Sequence, residues 1–216
     1  MLHVGTLVAV FVAFWPTIWK MIKKPVSKYP GYIILATLPT VVVALLAKDF
    51  IESSFGGQYL GYGFLLTALI LWLTGRLPRG KKGLSEMRPG HAVAMGCMQG
   101  VAILPGISRS GSTIAGGLFC GLDRDFAAQF SFLMSIPAIL GSVVLEGRDL
   151  LPGAAAIQVE WPPVLVGMAF AAVSGYIAIK FMLRLLHKGK LGGFSIYLLV
   201  LGALVLCDQY IFHVFF

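Results

Sequence analysis

The residues best suited to chemistry lie together in one apolar stretch, ILPGISRSGSTIAGG at residues 103–117. This stretch sets a single arginine among four hydroxyl side chains: Arg109 with Ser108, Ser110, Ser112 and Thr113. A guanidinium can bind a phosphate through two parallel hydrogen bonds, and neutral hydroxyls can donate to the remaining oxygens. The cluster therefore predicts an anion site, and phosphate is the anion that fits it best.

Two glycines and the start of a helix are expected to support that site. Gly106 and Gly111 lack a Cβ, so backbone N–H groups can approach a ligand closely there. A helical arm beginning at about Ser112 would direct its free N–H groups and the positive end of its dipole at the same place. The structural alternative is that Arg109 pairs with an acidic residue or reaches the membrane surface, while the serines cap helix ends.

The composition around the cluster indicates a membrane protein. The chain has 216 residues, of which 58% are hydrophobic and only 12% are charged, whereas a soluble domain carries about 25% charged residues. We predict an all-α polytopic membrane protein that forms one domain over residues 1–216, with about six transmembrane helices across a ~30 Å hydrocarbon core. The apolar segments that carry this prediction are 2–19, 32–47, 59–74, 126–145, 164–181 and 194–212.

Basic loops predict how these helices are oriented. Lysines and arginines gather at residues 20–28, 76–88 and 184–190, whereas the connections between those loops are acidic on balance. Short loops rich in Lys and Arg face the cytoplasm, so all three should lie on that side. Orientation in a membrane thus explains the net charge of +8, and we expect no nucleic-acid partner.

The stretch at residues 91–122 must then cross the membrane an even number of times. Its apolar arms, residues 91–104 and 113–122, are each too short to span a bilayer as a helix. We predict a re-entrant helical hairpin over 91–122 with SRSGST at its tip. Irregular backbone at membrane depth persists only where protein buries it or where it lines a wet cavity. An arginine there is costly, which indicates a function for Arg109.

Cysteines and histidines give weaker signals. The three cysteines are isolated in apolar stretches, which argues against disulfides and against a zinc site: Cys97, Cys120 and Cys207. The four histidines are expected at helix ends or in loops, with structural or interfacial roles: His3, His91, His187 and His213.

Several motifs resemble those of one bacterial family. The segment G-x-x-Q followed by ILPGISRSGST, then GLDRDFAAQFSFL and MSIPA, closely resembles the undecaprenyl-diphosphate phosphatases, the bacitracin-resistance proteins, most sharply over residues 96–141. The resemblance implies a multi-pass enzyme of the bacterial inner (plasma) membrane. It would hydrolyse undecaprenyl (polyprenyl) diphosphate to the monophosphate, recycle this lipid carrier for peptidoglycan synthesis in cell-wall biogenesis, and confer bacitracin resistance.

The resemblance also implies roles for individual residues. Ser108 would contact the phosphate or act as the nucleophile, Arg109 would hold the phosphate, and Thr113 would be a further phosphate ligand. Gln99 matches the glutamine of the family's second repeat and would lie inside the pocket. A polar tie between packed helices explains it equally well. The full set predicted to bind substrate is Gly106, Ser110, Gly111, Ser112 and Gln99.

Part of the family pattern has no match in this sequence. Members are built from two inverted repeats whose hairpins meet at mid-membrane; residues 1–75 resemble the remainder of the first repeat, and about 91–214 the second. The first hairpin normally carries E-G-x-T-E-F and S-S-x-G-H segments. These imply a divalent cation (Mg²⁺ or Ca²⁺) and a catalytic histidine, and the ligands for that cation are not found in this chain. A start codon placed too late and a truncated product are both open explanations.

Two other functions are consistent with the sequence. A transporter or flippase for an anionic lipid is one, because inverted repeats and broken helices are common in transporters. An inactive fragment that binds without turnover is the other. The partners expected in each case are a polyprenyl diphosphate lipid and the bilayer, with a homodimer as a further expectation.

Overall fold

The structure, a computed structural model, describes residues 2–148, 161–189 and 192–212, and helices dominate these ranges. The predicted all-α class is confirmed. The helices are α1 (Leu2–Lys23), α2 (Lys28–Leu46), α3 (Lys48–Ser54), α4 (Leu60–Gly75), α5 (Pro89–Val101), α6 (Arg109–Phe119), α7 (Arg124–Arg148), α8 (Trp161–His187) and α9 (Gly192–Cys207), which continues into a π-helical turn, Asp208–Phe212.

Five of these helices are long and apolar enough to cross a membrane, namely α1, α2, α7, α8 and α9 with its π-helical turn. The predicted segment at 32–47 gains length at its start, because α2 begins at Lys28 and reaches 19 residues. The predicted segment at 59–74 stays at 16 residues as α4. The multi-pass architecture is therefore confirmed with five full-length spans and one shorter apolar helix in the described chain, and not with six equal spans.

Prolines lie inside three of the spanning helices without ending them, and one of these helices is visibly bent. Pro16, Pro39 and Pro137 lie inside α1, α2 and α7. In α1 the backbone leaves helical geometry at Phe14, with φ −119° and ψ 19°, because a proline ring clashes with the preceding turn and offers no N–H. Beside this bend the Gln129 amide of α7 donates to the Thr17 hydroxyl at 2.7 Å.

Helix α7 forms the centre of the bundle. In the most apolar stretch of α7, 44% of the residues are buried, against 6% in α8 and 11% in α9. Phe130, Leu133 and Met134 of α7 are fully buried. The outer helices instead present large apolar side chains such as Phe170 and Leu204 to their surroundings, as expected for surfaces in contact with lipid.

Helices from the first half of the chain pack against helices from the second half. Helix α1 packs against α8, α2 against α7, and α4 against α9. A two-fold relation between α1, α2 and α4 on one side and α7, α8 and α9 on the other would produce this exchange of partners. The division into residues 1–75 and 91–214 stays a prediction.

The basic loops meet at one end of the bundle. Arg79, in the loop before α5, donates to the His187 carbonyl at the end of α8 at 3.5 Å. The His187 ring in turn lies 3.0 Å from the Asp125 carboxylate at the start of α7. Lys28, at the start of α2, lines one cavity together with Arg88. The prediction that the three basic loops share a side is confirmed, and their cytoplasmic location stays a prediction.

Candidate active site at the hairpin tip

Residues 91–122 form two short helices that pack against each other, with a break between them at residues 102–108. The arms have 13 residues in α5 and 11 in α6, and at 1.5 Å per residue neither reaches across a bilayer core. The predicted hairpin is confirmed as a fold. The second arm begins at Arg109, three residues before the predicted start at Ser112, because Ser108 caps it.

Close backbone contacts hold the tip against α4. Gly106 has φ +81°, and a Cβ there would lie 2.3 Å from the Leu60 carbonyl oxygen. A Cβ on Gly63 of α4 would lie 2.3 Å from the Pro105 carbonyl oxygen. Both positions therefore need glycine, one for its left-handed conformation and both for the space. We predicted that Gly106 would let backbone N–H groups approach a ligand. In the structure it lets the hairpin tip approach α4, and the approach to a ligand stays a prediction.

Thr67 of α4 completes this contact. Its side chain is fully buried, and its hydroxyl oxygen accepts a hydrogen bond from the Ser108 N–H at 3.0 Å. The same hydroxyl lies 2.9 Å from the Gly63 carbonyl and 3.3 Å from the Gly106 carbonyl, to which it can donate. One threonine thus fixes the backbone on both sides of the tip. Sequence reasoning missed it, although a lone threonine in GFLLTALILW was a detectable signal.

Ser108 forms the N-cap of α6. Its backbone is extended, with φ −68° and ψ 112°, and its side-chain oxygen accepts from the Gly111 N–H at 3.2 Å. Accepting this bond leaves the Ser108 O–H free to donate among the described residues. The N–H groups of Arg109 and Ser110 precede the first intrahelical bond, which runs from Ser112 N–H to the Ser108 carbonyl, so they also remain as donors.

Arg109 faces a cavity between the spanning helices. The side chain is exposed, and it lines a space of about 250 Å³ between α1, α6, α7 and α8. The α7 part of the lining comes from the middle of that helix, as expected for an arginine far from either membrane surface. The remaining lining residues are mainly apolar or small: Thr6, Val10, Ser110, Phe132, Ser135, Ile139, Gly175, Ala178, Ile179 and Met182.

No acidic residue in the described chain neutralises Arg109. The ion pairs there are Lys48 with Glu52, and Asp125 with His187. The described residues therefore do not form the alternative arrangement in which Arg109 pairs with a carboxylate. An unpaired guanidinium beside a capped helix N-terminus makes an anion site.

Two predicted hydroxyls point into protein. Thr113 is buried, and its hydroxyl lies 2.8 Å from the Arg109 carbonyl and within hydrogen-bond distance of the Ser131 hydroxyl of α7. Ser112 is fully buried, and its hydroxyl has no partner among the described residues. Ser110, by contrast, lines the cavity with Arg109. The phosphate contacts predicted for Thr113 and Ser112 stay predictions.

Gln99 lies on the α5 arm and faces α2. Its amide nitrogen donates to the Thr40 hydroxyl at 3.2 Å, and Thr40 donates to the Gly96 carbonyl at 3.1 Å. Gln99 is buried and does not line the Arg109 cavity. Its contacts match the polar tie between packed helices, and its predicted role in substrate binding stays a prediction.

The described residues include no group of three His, Cys, Asp or Glu side chains placed to bind a metal ion. The donors at the tip are hydroxyls, backbone N–H groups and a guanidinium, whereas Mg²⁺ and Ca²⁺ prefer carboxylate oxygens. The site formed by the described chain therefore does not fit a divalent cation. The three cysteines of the chain are free in the structure.

Fold and site together define a class: a polytopic helical membrane protein in which a broken hairpin presents an arginine and a capped helix N-terminus to a cavity among spanning helices. The sequence pattern described as "Bacitracin resistance protein BacA" matches residues 1–204. This chain belongs to the BacA family.

Relatives named undecaprenyl-diphosphatase resemble the chain along nearly its whole length. The one from Carboxydothermus hydrogenoformans is 46% identical over 97% of this chain and 81% of its own length. The one from Halothermothrix orenii is 39% identical over 95% of this chain and 80% of its own length. The undecaprenyl-diphosphatase of Methanosphaera stadtmanae is 34% identical over 95% of this chain and 81% of its own length.

Proposed function

We propose that this protein hydrolyses undecaprenyl diphosphate to the monophosphate and inorganic phosphate, and so recycles the cell-wall lipid carrier and confers bacitracin resistance. Membership of the BacA family and the similarity to named undecaprenyl-diphosphatases support this activity. The observation that carries it in the structure is Arg109, which has no acidic partner in the described chain and lies at a helix N-terminus beside a cavity.

In this proposal the terminal phosphate binds at the hairpin tip. Arg109 would hold two of its oxygens through parallel N–H groups, and the first-turn N–H groups of Arg109 and Ser110 would donate to a third. The free O–H of Ser108 can donate to the same group, so we assign Ser108 a role in phosphate binding. The apolar remainder of the cavity, with Val10 and Ile139, suits the start of the lipid chain.

The reaction breaks the bond between the terminal phosphorus and the bridging oxygen. Water supplies the new oxygen of the released phosphate, and the bridging oxygen stays with the lipid monophosphate. Phosphoryl transfer depends mainly on positioning and on stabilising charge that builds up on the phosphate oxygens. Arg109 and the fixed N–H dipoles can stabilise that charge because they are already oriented towards the site before the substrate binds.

The divalent cation implied by the family resemblance remains a separate part of the proposal. When bound, Mg²⁺ or Ca²⁺ would neutralise charge on the diphosphate. The described residues offer no matching set of ligands, so we assign no step of the reaction to a metal ion. We also propose that the protein resides in the bacterial inner membrane, and a homodimer stays a prediction.

Phosphate release from undecaprenyl diphosphate by the purified protein in detergent tests the activity directly. A parallel assay in vesicles with labelled undecaprenyl phosphate tests the alternative of lipid transport. We expect release of inorganic phosphate that depends on the protein, and no movement of the intact lipid. Absence of phosphate release, with or without added Mg²⁺ or Ca²⁺, would overturn the proposal, and transport without hydrolysis would favour the transporter.

A further inference from the structure

A polar cavity, separate from the Arg109 cavity, lies at the opposite end of the hairpin from its tip. It has a volume of about 600 Å³, and its basic side chains come from three separate parts of the chain. Lys28 is at the start of α2, Lys82 and Arg88 are in the loop before α5, and His91 is in the first turn of α5. We call this cavity, defined by these four residues, the mouth pocket.

Hydrogen bonds hold the walls of the mouth pocket in place. The Lys82 ammonium donates to the Cys120 carbonyl at 2.9 Å, and the Asp123 N–H donates to the Lys82 carbonyl at 2.9 Å. The Tyr32 hydroxyl of α2 donates to the Met87 carbonyl at 3.2 Å. The loop is therefore fixed both to the exit of α6 and to α2, so the cations stay close together before any ligand arrives.

Positive charge in the mouth pocket exceeds negative charge. Among the described residues that line it, Lys28, Lys82 and Arg88 face one carboxylate, Glu86, which already accepts a hydrogen bond from the Gly83 N–H at 3.3 Å. None of the three cations forms an ion pair with another described residue. The ion pairs in the described ranges join Lys48 to Glu52 and His187 to Asp125. Partial burial and the charges of Lys82 and Arg88 lower the pKa of His91, as expected in a region of positive potential.

We propose that the mouth pocket binds a phosphate-bearing anion, either the headgroup of an anionic phospholipid or free phosphate. Converging lysine and arginine side chains recognise phosphate through charge and multiple N–H donors. Basic residues where loops meet a membrane surface are also the usual contacts for anionic headgroups. The mouth pocket shares no lining residue with the Arg109 cavity, so it forms a second anion site.

Equilibrium binding in detergent can test this second site if anion binding at the hairpin tip is first removed by mutation. In an Arg109→Ala background we would titrate two probes separately, inorganic phosphate and dihexanoyl phosphatidylglycerol. We expect the added pair Lys28→Gln and Arg88→Gln to weaken binding at least tenfold. Lys28→Arg keeps the charge at position 28, and Lys20→Gln is an exposed change on α1 outside the mouth pocket. Both leave the charge of the mouth pocket unchanged, so binding should stay within about threefold for each.

The probes distinguish the source of the phosphate group. Binding of the lipid alone identifies a phospholipid headgroup, and binding of inorganic phosphate alone identifies a soluble anion. Failure of the Arg109→Ala protein to bind either probe overturns the proposal, as does a Lys28→Gln/Arg88→Gln protein that binds within twofold of its parent. Unchanged thermal unfolding and gel-filtration elution of the double variant would exclude misfolding, and Lys28→Glu supplies a second disruptive change if the pair does not fold.

Discussion

The two ends of one hairpin handle positive charge in different ways. At the tip, Arg109 is the single cation among the described residues that line a cavity of about 250 Å³, and the other walls are mostly apolar. At the mouth pocket, Lys28, Lys82 and Arg88 share a polar cavity of about 600 Å³. A charge among apolar walls interacts strongly with a bound anion, whereas charges along a polar cavity are screened by water. Arg109 can therefore contribute more to anion binding than any one cation of the mouth pocket.

The largest effect is expected from Arg109→Ala. Loss of the guanidinium leaves the developing charge on the phosphate without its main partner, so kcat should fall by about 10³-fold or more, at least as much as for loss of an oxyanion donor. Phosphate release from undecaprenyl diphosphate measures this. Lys20→Gln, a change of charge on α1 away from the tip, is the control and should keep its activity. Near-normal turnover by Arg109→Ala would remove Arg109 from the site.

The next effect tests the support of the tip by α4. Thr67→Val keeps the shape of the side chain but removes the hydroxyl, which leaves the Ser108 N–H without its acceptor. An unsatisfied buried donor costs about 1–3 kcal/mol, and we expect a lower thermal midpoint together with a roughly tenfold loss of kcat. The midpoint is measured in detergent and kcat by phosphate release.

Thr67→Ser is the matched control for that change. It keeps the hydroxyl and loses one methyl group, so it should restore most of kcat even if some stability is lost. A positioning role predicts that kcat falls more than KM rises in Thr67→Val. If Thr67→Val and Thr67→Ser have the same kcat, the hydrogen bond to Ser108 does not position the site.

Local chemistry in the sequence was enough to find the hairpin and its arginine, but not their supports. PGISRSGST is one continuous stretch, and the short arms around it exclude two spans. The Thr67 contact instead joins positions 41 residues apart, and the Gln99 contact with Thr40 joins positions 59 apart. Single-sequence patterns carry no information about such pairs. The early start of α6 had one signal in the sequence, because serine is a preferred N-cap residue and Ser108 is the first serine of the cluster.

The length of α4 shows a different limit. Hydropathy predicted a span at 59–74 but not where its helix would end. The structure places a left-handed glycine, Gly57 with φ 91°, before α4, and the helix ends at Gly75, three residues before Pro78. These turns stop the helix from growing into its flanks. The close contact of Gly63 with the tip then gives the shorter helix a supporting role beside the hairpin.

A smaller effect is expected from the contact between α6 and α7. Ser131→Ala removes the partner of the Thr113 hydroxyl, which can still bond to the Arg109 carbonyl. Loss of one buried hydrogen bond should lower stability by about 1 kcal/mol, with kcat reduced only a few-fold. Thermal unfolding and phosphate release measure the two quantities.

Thr113→Val distinguishes the two roles considered for Thr113. If Thr113 contacts the phosphate directly, Thr113→Val should reduce turnover far more than Ser131→Ala does. If its hydroxyl serves only to join α6 and α7, the two variants should have similar losses of kcat and stability. Equal effects would therefore remove Thr113 from the residues that touch substrate.

The smallest effect concerns His91 in the mouth pocket. Burial, Lys82 and Arg88 lower its pKa in the folded protein, so below the unfolded value of about 6.5 the unfolded chain binds more protons. The free energy of unfolding should fall as the pH drops from 6.5 towards the lowered pKa of His91. Well above pH 6.5, His91 should contribute no pH dependence to the free energy of unfolding. Thermal unfolding in detergent between pH 7.5 and 5.5 measures the change.

His91→Asn isolates this contribution from every other titrating group. An asparagine oxygen can accept the Arg88 N–H, as the His91 ring nitrogen does at 3.3 Å, but it does not titrate. The thermal midpoint of the unaltered protein should therefore decrease relative to that of His91→Asn as the solution is acidified. The gap should shrink at high salt, because screening weakens the repulsion from Lys82 and Arg88. A constant gap across the pH range would mean that the mouth pocket carries too little positive potential to act on His91, and would weaken the contrast between the two ends of the hairpin.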